Sequence, residues 1–418
     1  MPNQYQPWQI FTNEAMRILK NKLVFLKGCN RDNEHLFGKT GMKAGQTVNV
    51  SLPARYTGRY GEGYQPEGYN ATSVPVTVQP LAGVDVDLPS TDITLYLDDI
   101  KKKVLAPAMA QLVNNVERNC LQIAYQGTAN YVGTIGSAVS TSGVPLQANA
   151  YITNEGGPDD DTRRMLITPN TNVSLVPALQ GLFNPSTKIG KQYERGVIAK
   201  ETLGFDWYQT QNLWQHTIGN LGGTPAVNGA NQSGTSIVTN GWTASRLVLK
   251  KGDIVQFAAV NAVNPMTRQL YGPLRNCTIT ADVYSDAGGN ATLPIQTVSN
   301  YGLVAAPAQF ATVDALPANG ALVYVYNTAA SGQAALAGAT YANCLAYHGD
   351  AFTFAGLRQE LPTGSTDIAY QATDPDTGIQ LRFVRQFQAK DNLFVNRFDV
   401  LYAFGAVYPQ LACRMVSL

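Results

Sequence analysis

Residues 91–127, TDITLYLDDIKKKVLAPAMAQLVNNVERNCLQIAYQG, carry the strongest helical pattern in the chain. Their apolar residues recur at helical spacing and form one stripe: Ile100, Val104, Leu105, Met109, Leu112, Val113, Val116, Cys120, Ile123 and Ala124. Gly127 supplies the end of a helix over 91–126, which at about 1.5 Å per residue would be roughly 50 Å long. Pro107 lacks a backbone donor, so we expect this long helix to kink there.

A shorter helical pattern lies near the start of the chain. Thr12 or Asn13 can cap this helix, an apolar stripe runs from Ala15 to Leu26, and Gly28 supplies its end. Two interpretations stay open at this point. The segment is either a terminal helix packed on its own chain or an arm that docks on a neighbouring subunit.

Residues 44–90, between the two helices, have the pattern of strands and turns. AGQTVNVSLPARY (44–56) alternates with period two, and the stretch after it is dense in Gly, Tyr, Pro and Asn, which predicts a long extended hairpin. Aromatic side chains on an extended loop cannot bury themselves locally, so they are candidates for contact with another chain. The candidate set on this loop is Tyr56, Arg59, Tyr60, Glu62, Tyr64 and Tyr69.

The rest of the chain predicts a lobe of mixed α+β character that is interrupted by a β-rich block. Residues 162–220 alternate short strands with turns and one helix, SLVPALQGLF. Residues 221–342 are sparse in charge and predict a β-barrel or sandwich. The strands expected there are 246–249, 253–260, 277–284, 292–297 and 321–326. Mixed character then resumes, with a hairpin turn at DPDTG (374–378), so the block between the two parts resembles an inserted domain.

Length and composition indicate a large protein whose surface is covered by neighbouring copies of the chain. A chain of 418 residues exceeds what one hydrophobic core supports, so we expect two or three packed lobes. Only 14% of the residues are charged, against about 25% in a typical soluble domain. A surface so poor in charge suits burial against other copies. The net charge of +1 argues against a protein that binds nucleic acid through electrostatic contacts with its phosphates.

Cysteine spacing and the chain start indicate an intracellular protein. The five cysteines are far apart and form no CxxC pair, which favours free thiols over a disulfide framework or a zinc site: Cys29, Cys120, Cys277, Cys344 and Cys413. Neither a signal peptide nor an apolar run long enough to span a membrane is found in the sequence.

No catalytic constellation emerges from the sequence. His35, His216 and His348 lie far apart and none has metal-ligand spacing, and there is no G-x-S-x-G elbow. The acid triplet Asp159–Asp161 could bind a divalent cation, but a solvated loop paired with Arg163 and Arg164 is the favoured interpretation. We therefore expect no enzyme activity, no cofactor and no metal site.

The order of these segments resembles a major capsid protein of the Hong Kong 97 fold, in the version with an inserted domain, and the phage P22 type coat proteins in particular. The likeness lies in five stretches that span most of the chain. They begin NEAMRILKNKLVFLKG (from residue 13), ERGVIAKETLGFDWYQ (from 194), LKKGDIVQFAAVNAVN (from 249), NCLAYHGDAFTFA (from 343) and NRFDVLYAFGAVYPQL (from 396).

The resemblance implies an α+β capsid fold with an inserted β-barrel and a definite division of the chain. The implied parts are an N-terminal arm (1–35), an extended loop hairpin (36–90), a peripheral domain with the spine helix (91–160), a first part of the axial domain (161–221), the inserted domain (222–342), and closing strands of both domains (343–418). On the arm, Trp8 and Phe11 join the candidate contacts with neighbouring subunits.

The function implied is that of the major capsid protein of a tailed double-stranded DNA phage. Such a chain assembles into pentamers and hexamers of an icosahedral shell, in the cytoplasm of a bacterial host, and encloses DNA without reading its sequence. A separate scaffolding protein and a portal are the expected partners, and a membrane is not. Two alternatives stay open from the residues: a glycan-binding or fibre-type β protein, and a hydrolase with dispersed acids.

Overall fold

The computed structural model describes residues 7–37, 42–59, 61–68, 72–89, 101–179, 202–297, 301–306, 308–362, 368–388, 390 and 393–417. The chain divides into two compact units, each built from three separate stretches. Unit 1 comprises Met1–Val50, Pro75–Leu121 and Phe352–Gly405, and unit 2 comprises Ser51–Val74, Gln122–Ala351 and Ala406–Leu418. The fold is a mixture of α and β elements, and no stretch of chain forms a unit by itself.

Helices and strands are mixed along the described part of the chain. The helices are α1 (Pro7–Lys22), α2 (Ala106–Gly127), α3 (Gly143–Asn154), α4 (Pro169–Leu179) and α5 (Ala330–Leu336). The first strands are β1 (Thr47–Ser51), β2 (Ser73–Val78), β3 (Ala82–Pro89), β4 (Tyr131–Val132), β5 (Arg164–Ile167), β6 (Asp206–Gln209), β7 (Gln215–Thr217), β8 (Gly223–Val227), β9 (Ser236–Trp242), β10 (Leu247–Leu249) and β11 (Ile254–Phe257). The later strands are β12 (Asn261–Val263), β13 (Leu270–Leu274), β14 (Cys277–Ile279), β15 (Val283–Tyr284), β16 (Ala291–Gln296), β17 (Val323–Val325), β18 (Thr340–Tyr347), β19 (Phe352–Leu357), β20 (Ile368–Thr373), β21 (Gln380–Gln388), β22 (Leu393–Ala406) and β23 (Ala412–Ser417).

Helix α1 begins at Pro7, which corrects the predicted start at Thr12 or Asn13. Proline suits the first turn of a helix because the N–H group that it lacks would have no partner there. Thr12 instead lies on the buried face of the helix, which packs against β20 and β21 of unit 1. Within the chain, α1 therefore packs against the sheet of unit 1, and the role of residues 1–35 as an arm toward a neighbouring subunit stays a prediction.

Glu117 of α2 explains why α1 ends at Lys22, short of the predicted Gly28. Its Oε1 atom accepts the backbone N–H groups of Val24 and Phe25, at 2.6 and 2.8 Å, and its side chain is fully buried. In a continuing helix these two amides would bond to carbonyls one turn earlier. Because the carboxylate binds them instead, the helical pattern of the sequence is not followed and the chain turns.

The helix type changes next to Pro107, where the sequence predicts a kink. Lys101–Leu105 is a π-helical turn, and the α-helix starts directly after it, at Ala106. Pro107 cannot donate to the turn before it, and a wide π turn accommodates that missing hydrogen bond. Gly127 ends α2 as expected, and the predicted residues before Lys101 lie outside the described part of the chain.

Unit 1 contains a sheet that is centred on β22, the longest strand. Its order is β1-β2-β22-β21-β20, and β3 and β19 also pair with β22. Strands β20 and β21 pair antiparallel, and Thr373 lies opposite Gln380 at the end next to the turn. The turn is at DPDTG, as predicted. Gly378 has a φ of +71° in this turn, a conformation that side chains with a Cβ rarely adopt.

The turn between β20 and β21 makes unit 1 sensitive to acid. Burial opposes ionisation of Asp374, but hydrogen bonds from Thr377 and the nearby Lys20 (3.0 Å) outweigh it and hold the pKa of the carboxyl below its usual range. A depressed pKa in the folded state contributes stability above the unfolded pKa, and this stability is lost as pH falls through the folded pKa. Asp374→Asn should therefore flatten the pH dependence of the free energy of unfolding below about pH 4.

Urea titrations between pH 5 and pH 3 measure this dependence. The exposed neighbour Asp376→Asn is the matched control, because it leaves the buried carboxylate and its Thr377 contacts in place. We expect Asp376→Asn to change the slope less than Asp374→Asn does. Equal slopes in the parent chain and Asp374→Asn would contradict the assignment.

Unit 2 contains two six-stranded sheets. The first has the order β4-β23-β18-β5-β6, with β7 also paired to β18, and α3 packs on it. Its core is apolar and includes Ile152, Met165, Phe205 and Met415. Strands β7 and β18 pair antiparallel, with Thr217 opposite Thr340, so the chain between them leaves and rejoins the sheet at adjacent points.

The second sheet of unit 2 lies within that intervening chain and closes on itself. Its order is β17-β11-β14-β16-β9-β8, and backbone hydrogen bonds link β8 to the residues that directly precede β17. Val227 of β8 donates to the Ala321 carbonyl (2.9 Å) and accepts from the Gly320 N–H (2.8 Å). Its hydrophobic core includes Ile237, Phe257, Leu293 and Val325.

Buried polar side chains join the closed sheet to the first one. Arg414 of β23 donates to the carbonyls of Thr128 (2.6 Å) and Gly252 (2.8 Å), and to the hydroxyl of Thr278 (3.2 Å). His216 Nε2 lies 2.7 Å from Asp253 Oδ1, and both side chains are buried. Buried polar groups need such partners, so these contacts fix how the two sheets of unit 2 pack.

Candidate intersubunit contact surface

The long loop, residues 52–72, connects β1 to β2 and carries most of the predicted contact residues. The N–H group of Leu52 donates to the Thr72 carbonyl at 2.7 Å, which closes the loop at its base. Between these points, the described residues form neither helix nor strand. The extended hairpin predicted for this region thus consists of two short strands and a long irregular loop.

The described side chains of the long loop point largely into solvent. Tyr64 is 86% exposed and Tyr56 59% exposed, and Arg59 and Glu62 are exposed as well. Large exposed aromatic side chains of this kind are enriched at protein interfaces. Tyr60 and Tyr69, the other two predicted tyrosines, lie outside the described residues, and so does the side chain of Trp8.

Phe11 is a correction to the predicted contact set. Its ring is only 8% exposed and packs within unit 1, with its centroid 5.6 Å from that of Phe383 and 6.1 Å from that of Phe398. The helix that carries it begins five residues earlier than expected, so Phe11 faces its own chain. Little of the ring remains for a neighbouring subunit.

The middle of the long loop is held by one carboxylate. Glu67 accepts the Thr57 N–H at 2.6 Å and also the Thr57 hydroxyl, and these hydrogen bonds hold the pKa of Glu67 below its usual range. Arg59 donates to the carbonyl of Gly61. The contact between Glu67 and Thr57 joins the two sides of the loop and gives them a defined spacing.

The acid triplet forms paired contacts and no cation cage. Asp159 lies 3.6 Å from Arg163, and Asp160 accepts from Thr162 and lies 3.0 Å from His348. Arg163 is buried and also donates to the Pro158 carbonyl at 2.9 Å. Among the residues that the structure describes, no group of three or more His, Cys, Asp or Glu side chains is placed to hold a metal ion.

The five cysteines are free thiols. Four of them are buried, and burial raises the pKa of Cys277 to about 12 and that of Cys413 further. A thiol with so high a pKa is a poor nucleophile. In the described part of the chain, no helix is both long and apolar enough to span a membrane.

A family model of known proteins matches almost the whole chain. The model is described as P22 coat protein, gene protein 5, and it matches residues 3–416. The chain belongs to the P22 coat protein family. It is therefore a phage major capsid protein, and the match gives no support to the glycan-binding or hydrolase alternatives.

Solved structures similar to this coat protein come from phages and related particles. A structure from Mycobacterium phage Che8 is 11% identical and covers 94% of this chain and 90% of its own, with a TM-score of 0.45. The capsid structure of the cyanophage P-SCSP1u is 10% identical and covers 90% of this chain and 84% of its own, with a TM-score of 0.41. The capsid of Ralstonia phage GP4 is 9% identical, covers 91% and 82%, and has a TM-score of 0.40. No curated protein sequence matches the chain.

Proposed function

We propose that this coat protein assembles with copies of itself into the pentamers and hexamers of an icosahedral shell that encloses the double-stranded DNA of a tailed phage. The long loop would reach over an adjacent subunit. The observation that carries this proposal is the pair of exposed tyrosines, Tyr56 and Tyr64, on a loop whose base is closed.

The proposed division of the chain follows the Hong Kong 97 fold with an inserted domain. Residues 1–35 form the arm, 36–90 the loop hairpin, 91–160 the peripheral domain, and 161–221 with 343–418 the axial domain and the closing strands. Residues 222–342 form the inserted β-barrel. The closed sheet from β8 to β17 and the side-by-side position of Thr217 and Thr340 support the barrel assignment.

The loop proposal is tested by the double substitution Tyr56→Ala, Tyr64→Ala. Interface aromatics are common hot spots, and each contact recurs in every subunit of a shell, so we expect the yield of shells to fall by at least about tenfold. Tyr284→Ala is the matched control, because Tyr284 is 67% exposed on β15, in the same unit but outside the loop. Electron microscopy and sedimentation of co-expressed particles give the yield.

Urea unfolding of the unassembled chain accompanies this experiment. An unchanged unfolding midpoint shows that the substitutions act on assembly and not on folding. Normal shells at normal yield from the double variant would remove the long loop from the proposed contacts.

The proposed partners are a separate scaffolding protein and a portal, met in the cytoplasm of the bacterial host. A net charge of +1 suits a shell that packs many copies together and faces DNA without sequence-specific binding. The chain expressed alone should form few shells of uniform size, and co-expression with the scaffolding protein should restore them. Uniform shells from the chain alone would exclude the need for a scaffold.

A further inference from the structure

We propose that the chain between β7 and β18 acts as a guide for the long loop of its own subunit. In this proposal, Arg268, Tyr301 and Gln309 set the direction in which residues 52–59 leave the body of unit 2. The inference rests on the proposed contact role of the loop, and it assigns a task to side chains that are remote from the loop in sequence.

Two of the guiding contacts bind the loop by its backbone. The side-chain amide of Gln309 donates to the Arg55 carbonyl, and Arg268 Nη2 donates to the Tyr56 carbonyl at 3.0 Å. Hydrogen bonds to consecutive backbone carbonyls orient successive peptide planes. They therefore fix the path of the chain at this point, whatever side chains the loop carries.

Tyr301 contacts both sides of the loop. The guanidinium of Arg55 lies 5.7 Å from the centre of the Tyr301 ring, and the Tyr301 hydroxyl lies 2.5 Å from that of Thr72. The Tyr301 ring is itself stacked on Phe310, with the centroids 4.6 Å apart. Arg55 also donates to Gln410 Oε1 at 3.0 Å, so its side chain is held from two directions.

The segment that carries Tyr301 and Gln309 is anchored next to the closed sheet. Leu303 exchanges two backbone hydrogen bonds with Gly234, at 2.9 and 3.0 Å. Leu303 and Val313 are fully buried in the apolar core, and Arg275 donates to the Thr312 carbonyl at 2.7 Å. To set the path of the long loop, this segment must be more rigid than the loop, and these contacts make it rigid.

The position of the guide makes its effect large at the tip. Tyr64 lies nine residues beyond Arg55, and nine extended residues span up to about 30 Å. A small change of angle at the base is therefore multiplied along the loop. The guide would decide where Tyr64 meets the neighbouring subunit without itself contacting that subunit.

Hydrogen exchange of the purified, unassembled full-length chain tests the guide directly. The double variant Arg268→Ala, Gln309→Ala should exchange the amides of residues 52–59 about tenfold faster than the parent chain. The matched control is Arg246→Ala, Gln232→Ala, the same two substitutions in the same region. Those side chains bind the carbonyls of Asn220 and Asn228, away from the loop, so the control should leave residues 52–59 unchanged.

A milder variant covers the case in which the double variant fails to fold. Tyr301→Phe keeps the stack on Phe310 and removes only the hydroxyl contact with Thr72, and we expect the Leu52 amide to exchange about threefold faster. Unchanged exchange in the folded double variant, or in Tyr301→Phe where only that variant folds, overturns the guide.

Assembly of the same variants separates the guide from the proposed function. Faster loop exchange together with a loss of uniform shells supports both. Faster loop exchange with normal shells supports the guide and contradicts the role of the loop in subunit contact. Unchanged exchange overturns the guide whatever the shells look like, and it leaves the Tyr56 and Tyr64 experiment as the test of the loop.

Discussion

Replacing Arg275 with alanine is expected to lower the free energy of unfolding of unit 2 by about 3–5 kcal/mol. Arg275 Nη1 lies 2.5 Å from Glu155 Oε1, and both side chains are at most 2% exposed. Its other nitrogens donate to the Thr312 and Val263 carbonyls, at 2.7 and 3.2 Å. Among the described residues, the substitution leaves the buried Glu155 carboxylate with the Tyr271 hydroxyl as its side-chain partner, and an uncompensated buried charge is costly.

The expected loss of stability in Arg275→Ala comes from leaving the Glu155 carboxylate buried without its cation, and not from losing the attraction between Arg275 and Glu155. A variant that removes all three groups, Glu155→Leu, Tyr271→Phe, Arg275→Met, should therefore recover most of the lost stability. Arg17→Ala is the control for an exposed ion pair, since Arg17 and Glu14 lie at the surface, and it should change stability little. Urea unfolding followed by tryptophan fluorescence measures each variant. A triple variant no more stable than Arg275→Ala would contradict this explanation.

Replacing Glu117 with alanine is expected to cost unit 1 about 2–4 kcal/mol, the second large effect. The Glu117 carboxylate accepts two backbone N–H groups, those of Val24 and Phe25. Phe25 is fully buried, and its ring packs against Phe352 and Phe404, with centroids 5.8 Å apart in both cases. Without the carboxylate, the connection between α1 and the rest of unit 1 loses its acceptor while the aromatic contacts hold the amides away from water.

Glu117→Gln is the matched variant for this prediction. A glutamine keeps an oxygen acceptor at the same position, so it should retain part of the stability that alanine loses. Hydrogen exchange localises the effect, because the amides of residues 23–29 should become the fastest to exchange in Glu117→Ala. Equal stability of Glu117→Ala and the parent chain would show that these amides find other partners.

Local sequence patterns predicted those parts of the fold that depend on residues adjacent in sequence. The turn DPDTG carries its own signals, and the strands near 254, 277 and 291 stand out because buried β-branched residues lie between clear turns. Strands β8 and β9 were not predicted. Their sequences, GTPAV and SIVTNGW, mix apolar residues with Gly, Thr, Asn, Ser and Pro, and they form strands by pairing with each other and, for β9, with β16.

Contacts between residues that are remote in sequence set those features of the fold that the local sequence pattern could not predict. The end of α1 at Lys22 depends on Glu117, and the burial of Phe11 depends on Phe383, and both partners are remote in sequence. The tyrosines of the long loop could be proposed from composition, because an aromatic-rich turn region is visible locally. The side chains at its base could not, because an isolated arginine or glutamine such as Arg268 or Gln309 carries no signal of the carbonyl it will bind.

The adjacent positions of Thr217 and Thr340 suggest that the coat protein can exchange one module for another. The pairing of β7 with β18 brings together the two ends of the chain between them. The free-energy cost of closing such a loop rises by only about 0.6 kcal/mol for each doubling of its length. A foreign domain whose ends lie about 5 Å apart would meet the same geometric requirement. Such an exchange would also remove inserted residues that contact the rest of unit 2, so a grafted domain would have to supply new partners for the buried Glu155 and Arg414 side chains.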